Sequence, residues 1–191
     1  PPAPADLPAK TYLAYGSSIT HGSLALAAPL TYPFRIAQKL KTDYLNLGFA
    51  GSAHMEQAMA EYIVARQDWD FASVEMGINM IGEPFSLEQF EDRVKTFVEV
   101  LAGDPRPILA TSLFVFNGKE HEREKAVRYR EIVRKHAENK LIFTDGLELL
   151  NNTAYLSEDA VHPTLEGIGE IAARWSEVMK RFAMLKLQLY S

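Results

Sequence analysis

Thr11-Tyr-Leu-Ala-Tyr15, halted by Gly16-Ser17-Ser18, is a short apolar and aromatic run that stops at glycine, as a buried strand does. A loop of polar and small residues follows. Tyr32 to Lys41 then spaces Phe34, Ile36, Ala37 and Leu40 as a short amphipathic helix requires. The alternation repeats down the chain. Tyr44 to Leu47 reads as a second strand, ending at Gly48-Phe-Ala-Gly51, with a helix over Met55 to Arg66 behind it. Phe71 to Met76 reads as a third strand closing at Gly77, followed by a helix that Ser86 caps with Gln89 three residues on. Pro107 to Leu113 and Leu141 to Thr144 supply two further strands, and Glu120 to Glu138 and Thr164 to Phe182 two further helices. Strands alternating with helices of about ten residues or more need right-handed crossovers. They predict one α/β domain over residues 11–182, a three-layer α/β/α sandwich around a five-stranded parallel sheet. A Pro-rich leader over 1–10 and a tail over 183–191 flank it. Ligands of such sheets bind beyond the carboxyl ends of the strands, so Ser18, Gly51 and Asn79 are expected to gather along one edge.

Composition sets the limits of this reading. A chain of 191 residues has room for one well-buried core, and 47% hydrophobic with 24% charged residues is the balance of a globular domain. The formal charge of -5 leaves no broad basic face, which argues against a nucleic-acid partner and for a small-molecule one. The absence of cysteine rules out disulfides, thiolate metal sites and a cysteine nucleophile. It fits both a reducing cytosol and a bacterial exterior, so the compartment stays open, as does the oligomeric state. No apolar run approaches the roughly 18 residues of a membrane helix, and a soluble chain is expected. It opens on Pro1 rather than methionine, as a trimmed, processed or excised domain would.

A serine hydroxyl becomes a useful nucleophile when a histidine takes its proton and a carboxylate holds that imidazole. Asp159-Ala-Val-His162 offers both partners on one turn, with Pro163 favouring an extended His162. That spacing occurs in many loops. Ester cleavage also needs donors aimed at the developing oxyanion. Gly51, lacking Cβ, would let its amide approach closely, Asn79 could add its side-chain NH₂, and the Ser18 amide would be a third. Taken singly, the same glycine serves a tight turn and the same asparagine closes a loop.

The combination carries more than its parts. Gly16-Ser17-Ser18-Ile19-Thr20, Asn46-Leu-Gly48-Phe-Ala-Gly51, Gly77-Ile-Asn79 and Asp159-Ala-Val-His162-Pro163 together resemble the four blocks of the SGNH/GDSL hydrolases, over nearly the whole chain. The resemblance implies a flavodoxin-like sheet and a serine esterase that needs neither metal nor organic cofactor. It implies Ser18 as nucleophile, Asp159 and His162 as its partners, and Ser18, Gly51 and Asn79 as the oxyanion hole. Two positions depart from the pattern: Ser17 stands where the family has Asp, and Met80 follows Asn79 where Asp is usual. Ser17 therefore leaves open which hydroxyl attacks, although the motif aligns Ser18 with the nucleophile. The strings Gly-Ser-Ser-Ile-Thr-His-Gly and Gly-Phe-Ala-Gly-Ser-Ala-His are similar to a bacterial subgroup that often carries an N-terminal β-sandwich. That subgroup includes carbohydrate deacetylases and acyltransferases, which implies a short acyl ester of a polyol as substrate, with acyl transfer or a non-catalytic carbohydrate-binding domain as alternatives.

Other residues compete for these roles. His21 and His54 lie three positions after Ser18 and Gly51; either could be a base, and substrate contact is the expectation for both. His121 and His136 sit on a charged helix and are expected in solvent, where Glu120 and Glu124 are placed for i,i+3 or i,i+4 pairs. Met55, Met59, Phe90 and Phe97 have core spacing. No H-E-x-x-H run or dense Asp cluster suggests a metal, the first loop lacks the G-K-[S/T] ending of a phosphate loop, and Thr20 breaks any G-x-S-x-G elbow.

Overall fold

The computed structural model describes residues 3, 6–82 and 84–189, with side chains as far as Phe182. Among them, β1 (Thr11–Gly16), β2 (Asp43–Gly48), β3 (Phe71–Glu75), β4 (Ile108–Thr111) and β5 (Ile142–Thr144) form one sheet in the order β2-β1-β3-β4-β5. Every neighbouring pair is parallel. The chain thus begins inside the sheet, steps out to β2, and returns past β1 to build the other side, the flavodoxin-like winding.

Side chains alternate across each strand, and β1 uses both faces. Leu13 and Tyr15 point into a core shared with α3 (Gln57–Ala65), α4 (Leu87–Ala102) and α5 (Glu120–Ala137). Tyr12 and Ala14 point into a second core under α2 (Tyr32–Leu40) and α7 (Leu165–Leu189). Trp175 of α7 is fully buried there, its ring 5.6 Å from Tyr32. Burying a large apolar side chain contributes roughly 1.5–3 kcal/mol, so two filled cores are what hold the layers together. Two short helices, α1 (Ser18–His21) and α6 (Gly146–Leu149), follow β1 and β5.

The cap at Ser86 forms as expected: its hydroxyl accepts from the Gln89 amide at 3.1 Å, while the Gln89 side chain accepts from the Ser86 amide at 2.9 Å. Met55, Phe90 and Phe97 are fully buried, and Met59 packs beside them. Four features differ from the sequence reading. β4 stops at Thr111, because its partners on both sides end level with it, at Glu75 and Thr144. The last helix runs past Phe182 to Leu189; residues 190 and 191 of the expected tail, and 1, 2, 4 and 5 of the leader, lie outside the described residues. His136 does not stand free in solvent, since its Nε2 lies 2.9 Å from Glu91 Oε1. Within α5 and its C-cap the ion pairs join Arg128 to Glu131 and Arg134 to Glu138, others reach out to Glu91 and Asp145, and none among the described residues involves Glu120 or Glu124.

One close approach matters for the site. A Cβ at Gly48 would sit 2.1 Å from the His21 backbone nitrogen, so the missing side chain lets the end of β2 lie directly on α1. Asn46 then reaches across, its Nδ2 donating to the Thr20 carbonyl at 3.0 Å while its Oδ1 accepts from the Gly48 amide at 2.9 Å. The second loop is thereby tied to the turn that carries Ser18.

Candidate active site

Ser17 ends the exit from β1 in extended backbone, and its hydroxyl caps α1 by accepting from the Ile19 amide at 3.1 Å. Ser18 is the first residue of that helix. Its Oγ lies 2.7 Å from His162 Nε2, a contact between residues 144 apart in sequence. On the other side of the ring, His162 Nδ1 lies 2.6 Å from Asp159 Oδ2. A carboxylate only accepts, so this contact puts the ring proton on Nδ1 and leaves the Nε2 lone pair facing the serine hydroxyl.

The loop bearing Asp159 and His162 is built to hold that orientation. Asp159 Oδ1 accepts from the amides of Val161 and His162, each at 2.9 Å, and from the Ser157 hydroxyl at 2.8 Å. The Ser157 amide donates to the His162 carbonyl at 2.8 Å, Leu156 bridges Pro163, and Ala160 takes left-handed backbone at φ 59. Partial burial pushes the Asp159 carboxyl up. The His162 and Val161 amides, the imidazole and the Ser157 hydroxyl outweigh it and hold the group below the ordinary carboxylate range.

Gly51 and Asn79 reach the same place from the next two strand ends. Gly51 occupies left-handed backbone at φ 72, where a side chain would strain the turn. Asn79 lies on a 3₁₀ turn, Ile78–Met80, after Gly77 at φ 124. Its Oδ1 accepts from the Ala53 amide at 3.0 Å, which leaves Nδ2 as the end able to donate. Tyr129 steadies this turn from α5 by donating to the Met80 carbonyl at 2.7 Å. Met80 itself is fully buried, so the departure from Asp at this position puts an apolar side chain into the core. The amides of Ser18 and Gly51 meet no acceptor among the described residues.

Ser18, Gly51, Asn79 and His162 all line one cleft of about 450 Å³. Part of its wall is apolar, from Ile78, Ile81, Phe116 and Val161. A hydroxyl facing a basic nitrogen, with free amides and an amide side chain around the same space, can generate an alkoxide-like nucleophile and receive an oxyanion.

His21 and His54 are not brought into this cleft. His21 is exposed at the end of α1, where its backbone abuts Gly48; the His54 ring lies 4.9 Å from Phe85 at an interplanar angle of 51°, with Nδ1 3.6 Å from Glu56. Both were placed by position in the sequence, which fixes the loop and not the direction of the side chain. In the opposite sense, the sequence reading passed over Glu75. Its carboxyl is buried beneath the Ser17–Ser18 turn and accepts from the Ser17 amide at 2.8 Å and the Ser17 hydroxyl at 2.7 Å. The available signal was a charged residue inside the apolar run of a central strand.

The sequence model of the GDSL-like Lipase/Acylhydrolase family matches residues 14–168. No curated protein gives a significant match. Among solved structures, the chain is similar to a candidate GDSL-like lipase from Bacteroides ovatus ATCC 8483, with a TM-score of 0.73, 24% identity, and coverage of 90% of this chain and 54% of that one. It is similar to the salicylyl-acyltransferase SsfX3 from a tetracycline biosynthetic pathway, with a TM-score of 0.71, 21% identity, and coverage of 92% and 55%. The acetylxylan esterase Axe2 from Geobacillus stearothermophilus gives a TM-score of 0.70, 21% identity, and coverage of 90% and 94%. The chain thus spans about half the length of the first two, and at these identities the likeness is one of fold. With three strand-end motifs and the loop before the last helix converging on one cleft, and a family match from Ala14 to Ile168, the chain belongs to the GDSL-like lipase/acylhydrolase family.

Proposed function

We propose that the chain is a serine esterase, and the observation that carries this reading is the 2.7 Å contact between Ser18 Oγ and His162 Nε2. Ser18 attacks the ester carbonyl as His162 takes its proton. The tetrahedral oxyanion is met by the amides of Ser18 and Gly51 and by Asn79 Nδ2. Collapse returns the proton from His162 to the departing alcohol, leaving an acyl group on Ser18. Water, deprotonated by the same imidazole, releases the acid. Asp159 keeps the imidazole in the required tautomer and faces it with a negative charge once protonated.

Short acyl esters of carbohydrate alcohols are the proposed substrates. A cleft rather than a long channel supports a small acyl group, and the acetylxylan esterase of the same fold supports acetyl. The apolar wall favours a second reading, in which a bulkier acyl group is passed to an alcohol instead of to water; SsfX3, of the same fold, is by name an acyltransferase. One panel separates them: acetylated sugars and chromogenic esters of rising acyl length, each with and without added alcohol acceptor. The esterase reading expects kcat/KM to peak at acetyl to butyryl, with acid as the product. A preference rising beyond eight-carbon chains (roughly twice the expected limit), or transfer dominating over hydrolysis, overturns it.

Asn79→Ala should lower kcat by about 10²–10³-fold with KM little changed, because the lost donor serves the transition state rather than the bound ester. Steady-state kinetics check this, with circular dichroism to confirm that freeing the Ala53 amide has not unfolded the loop. A kcat within about threefold of wild type would remove Asn79 from the oxyanion hole.

A further inference from the structure

Glu75 takes no part in the chemistry proposed above, yet burying a carboxyl at the end of the central strand is costly and asks for an explanation. It is 1% exposed, and Oε2 accepts three hydrogen bonds: from the Ser17 amide at 2.8 Å, the Ser17 hydroxyl at 2.7 Å and the Thr20 hydroxyl at 3.1 Å. Thr20 in turn accepts from the Tyr32 hydroxyl, 2.6 Å away. Oε1 is buried and meets no donor among the described residues. Burial pushes this carboxyl up, against the three donors and the charge that His162 can carry.

The bonds all end on the turn that bears Ser18. A Cβ on Gly16 would fall 2.6 Å from Glu75 Oε2 and 2.1 Å from Thr20 Oγ1, so the carboxyl and the threonine hydroxyl fill the space that this glycine leaves. The Ser17 hydroxyl has a single proton, and Glu75 holds it. Its lone pair accepts from the Ile19 amide, and the residue is 1% exposed, so this hydroxyl is withdrawn from the cleft while Ser18 is presented to it.

We infer that Glu75 is a positioning residue for the nucleophile: by gripping Ser17 and Thr20 from below, it fixes the Ser18 hydroxyl and amide against His162 and the oxyanion site. This rests on Ser18 being the nucleophile. In this arrangement the acid beneath the turn comes from β3, and position 17 supplies the hydroxyl that donates to it. A purely structural plug would affect folding stability and leave turnover of the folded protein alone.

The test is an exchange of donor and acceptor across the pair. Glu75→Gln should leave KM within about twofold and lower kcat by about 10–100-fold, the scale of a misplaced reacting group. Ser17→Asp alone, which sets two carboxyls against each other, should be worse. The double variant, Ser17→Asp with Glu75→Gln, restores one buried carboxylate and one donor, and should return kcat to within about tenfold of wild type, a coupling that independent sites would not show. Ser17→Ala, a smaller change to the same contact, should lower kcat several-fold at unchanged KM, and carries the test if Glu75→Gln does not fold. Thermal denaturation of every variant separates loss of fold from loss of turnover. A folded Glu75→Gln, or a folded Ser17→Ala in its place, with wild-type kcat overturns the inference, as does a folded double variant no better than the product of its singles. Labelling of the wild-type protein by an organophosphonate, with the modified residue mapped by peptide mass, tests the underlying reading separately: modification elsewhere than Ser18 sinks that reading whatever the Glu75 series shows.

Discussion

Ser18→Ala is expected to lower kcat for a chromogenic acetate ester by about 10⁴–10⁶-fold, the range in which removal of a nucleophile leaves only binding and oxyanion stabilisation. The fold should survive. Ser18 is partly exposed and its hydroxyl contacts His162, so its loss changes stability by no more than about 1 kcal/mol. Ser17 cannot substitute, because its hydroxyl is turned inward and bound to Glu75. Activity and thermal denaturation measured on one preparation decide the matter. A folded Ser18→Ala protein that hydrolyses esters at the wild-type rate would end the proposed mechanism.

Asp159→Asn carries the next largest effect, a loss of about 10²–10⁴-fold in kcat. The amide keeps the shape of the carboxyl but brings no charge to face the imidazolium, and its NH₂ can reverse the tautomer that leaves Nε2 free. The same substitution has a pH signature whose sign follows from the depressed carboxyl of Asp159. A carboxyl lowered in the folded state binds fewer protons there than in the unfolded chain. Its stabilisation is therefore complete above the unfolded value, about 3.9, and is lost as the pH falls from there toward the folded one. Acid unfolding followed by circular dichroism should show the wild type losing stability more steeply than Asp159→Asn below about pH 4. The side chain is 44% exposed, so the difference will be modest. Identical acid limbs would mean that Asp159 is not held as described.

The order of elements was legible because the period of the apolar residues changes at each boundary, and glycine marks the strand ends at 16, 48 and 77. The gathering of Ser18, Gly51 and Asn79 was legible too, since it follows from parallel strands that all end at one edge. Direction within a loop was not. His21 and Ser18 are three residues apart on one short helix, yet Ser18 lines the cleft and the exposed His21 is not among its lining, a difference their spacing does not carry. Glu75 escaped because its partners lie 58 and 55 residues away, so nothing local distinguishes it from a flaw in a strand. The end of α7 was set too early at Phe182: Ala183-Met-Leu-Lys-Leu-Gln-Leu189 contains no glycine or proline, and every residue in it favours helix.

The proposed base, His162, and its carboxylate, Asp159, are neighbours on one self-bonded loop, while the Ser18 hydroxyl comes from the far end of the chain. Half of the apparatus can therefore assemble locally, early in renaturation, whereas the other half arrives only when the polypeptide has closed around its sheet. On the proposed mechanism, turnover is in that sense a late signal, recovered after secondary structure and reporting that both termini of the domain have found each other.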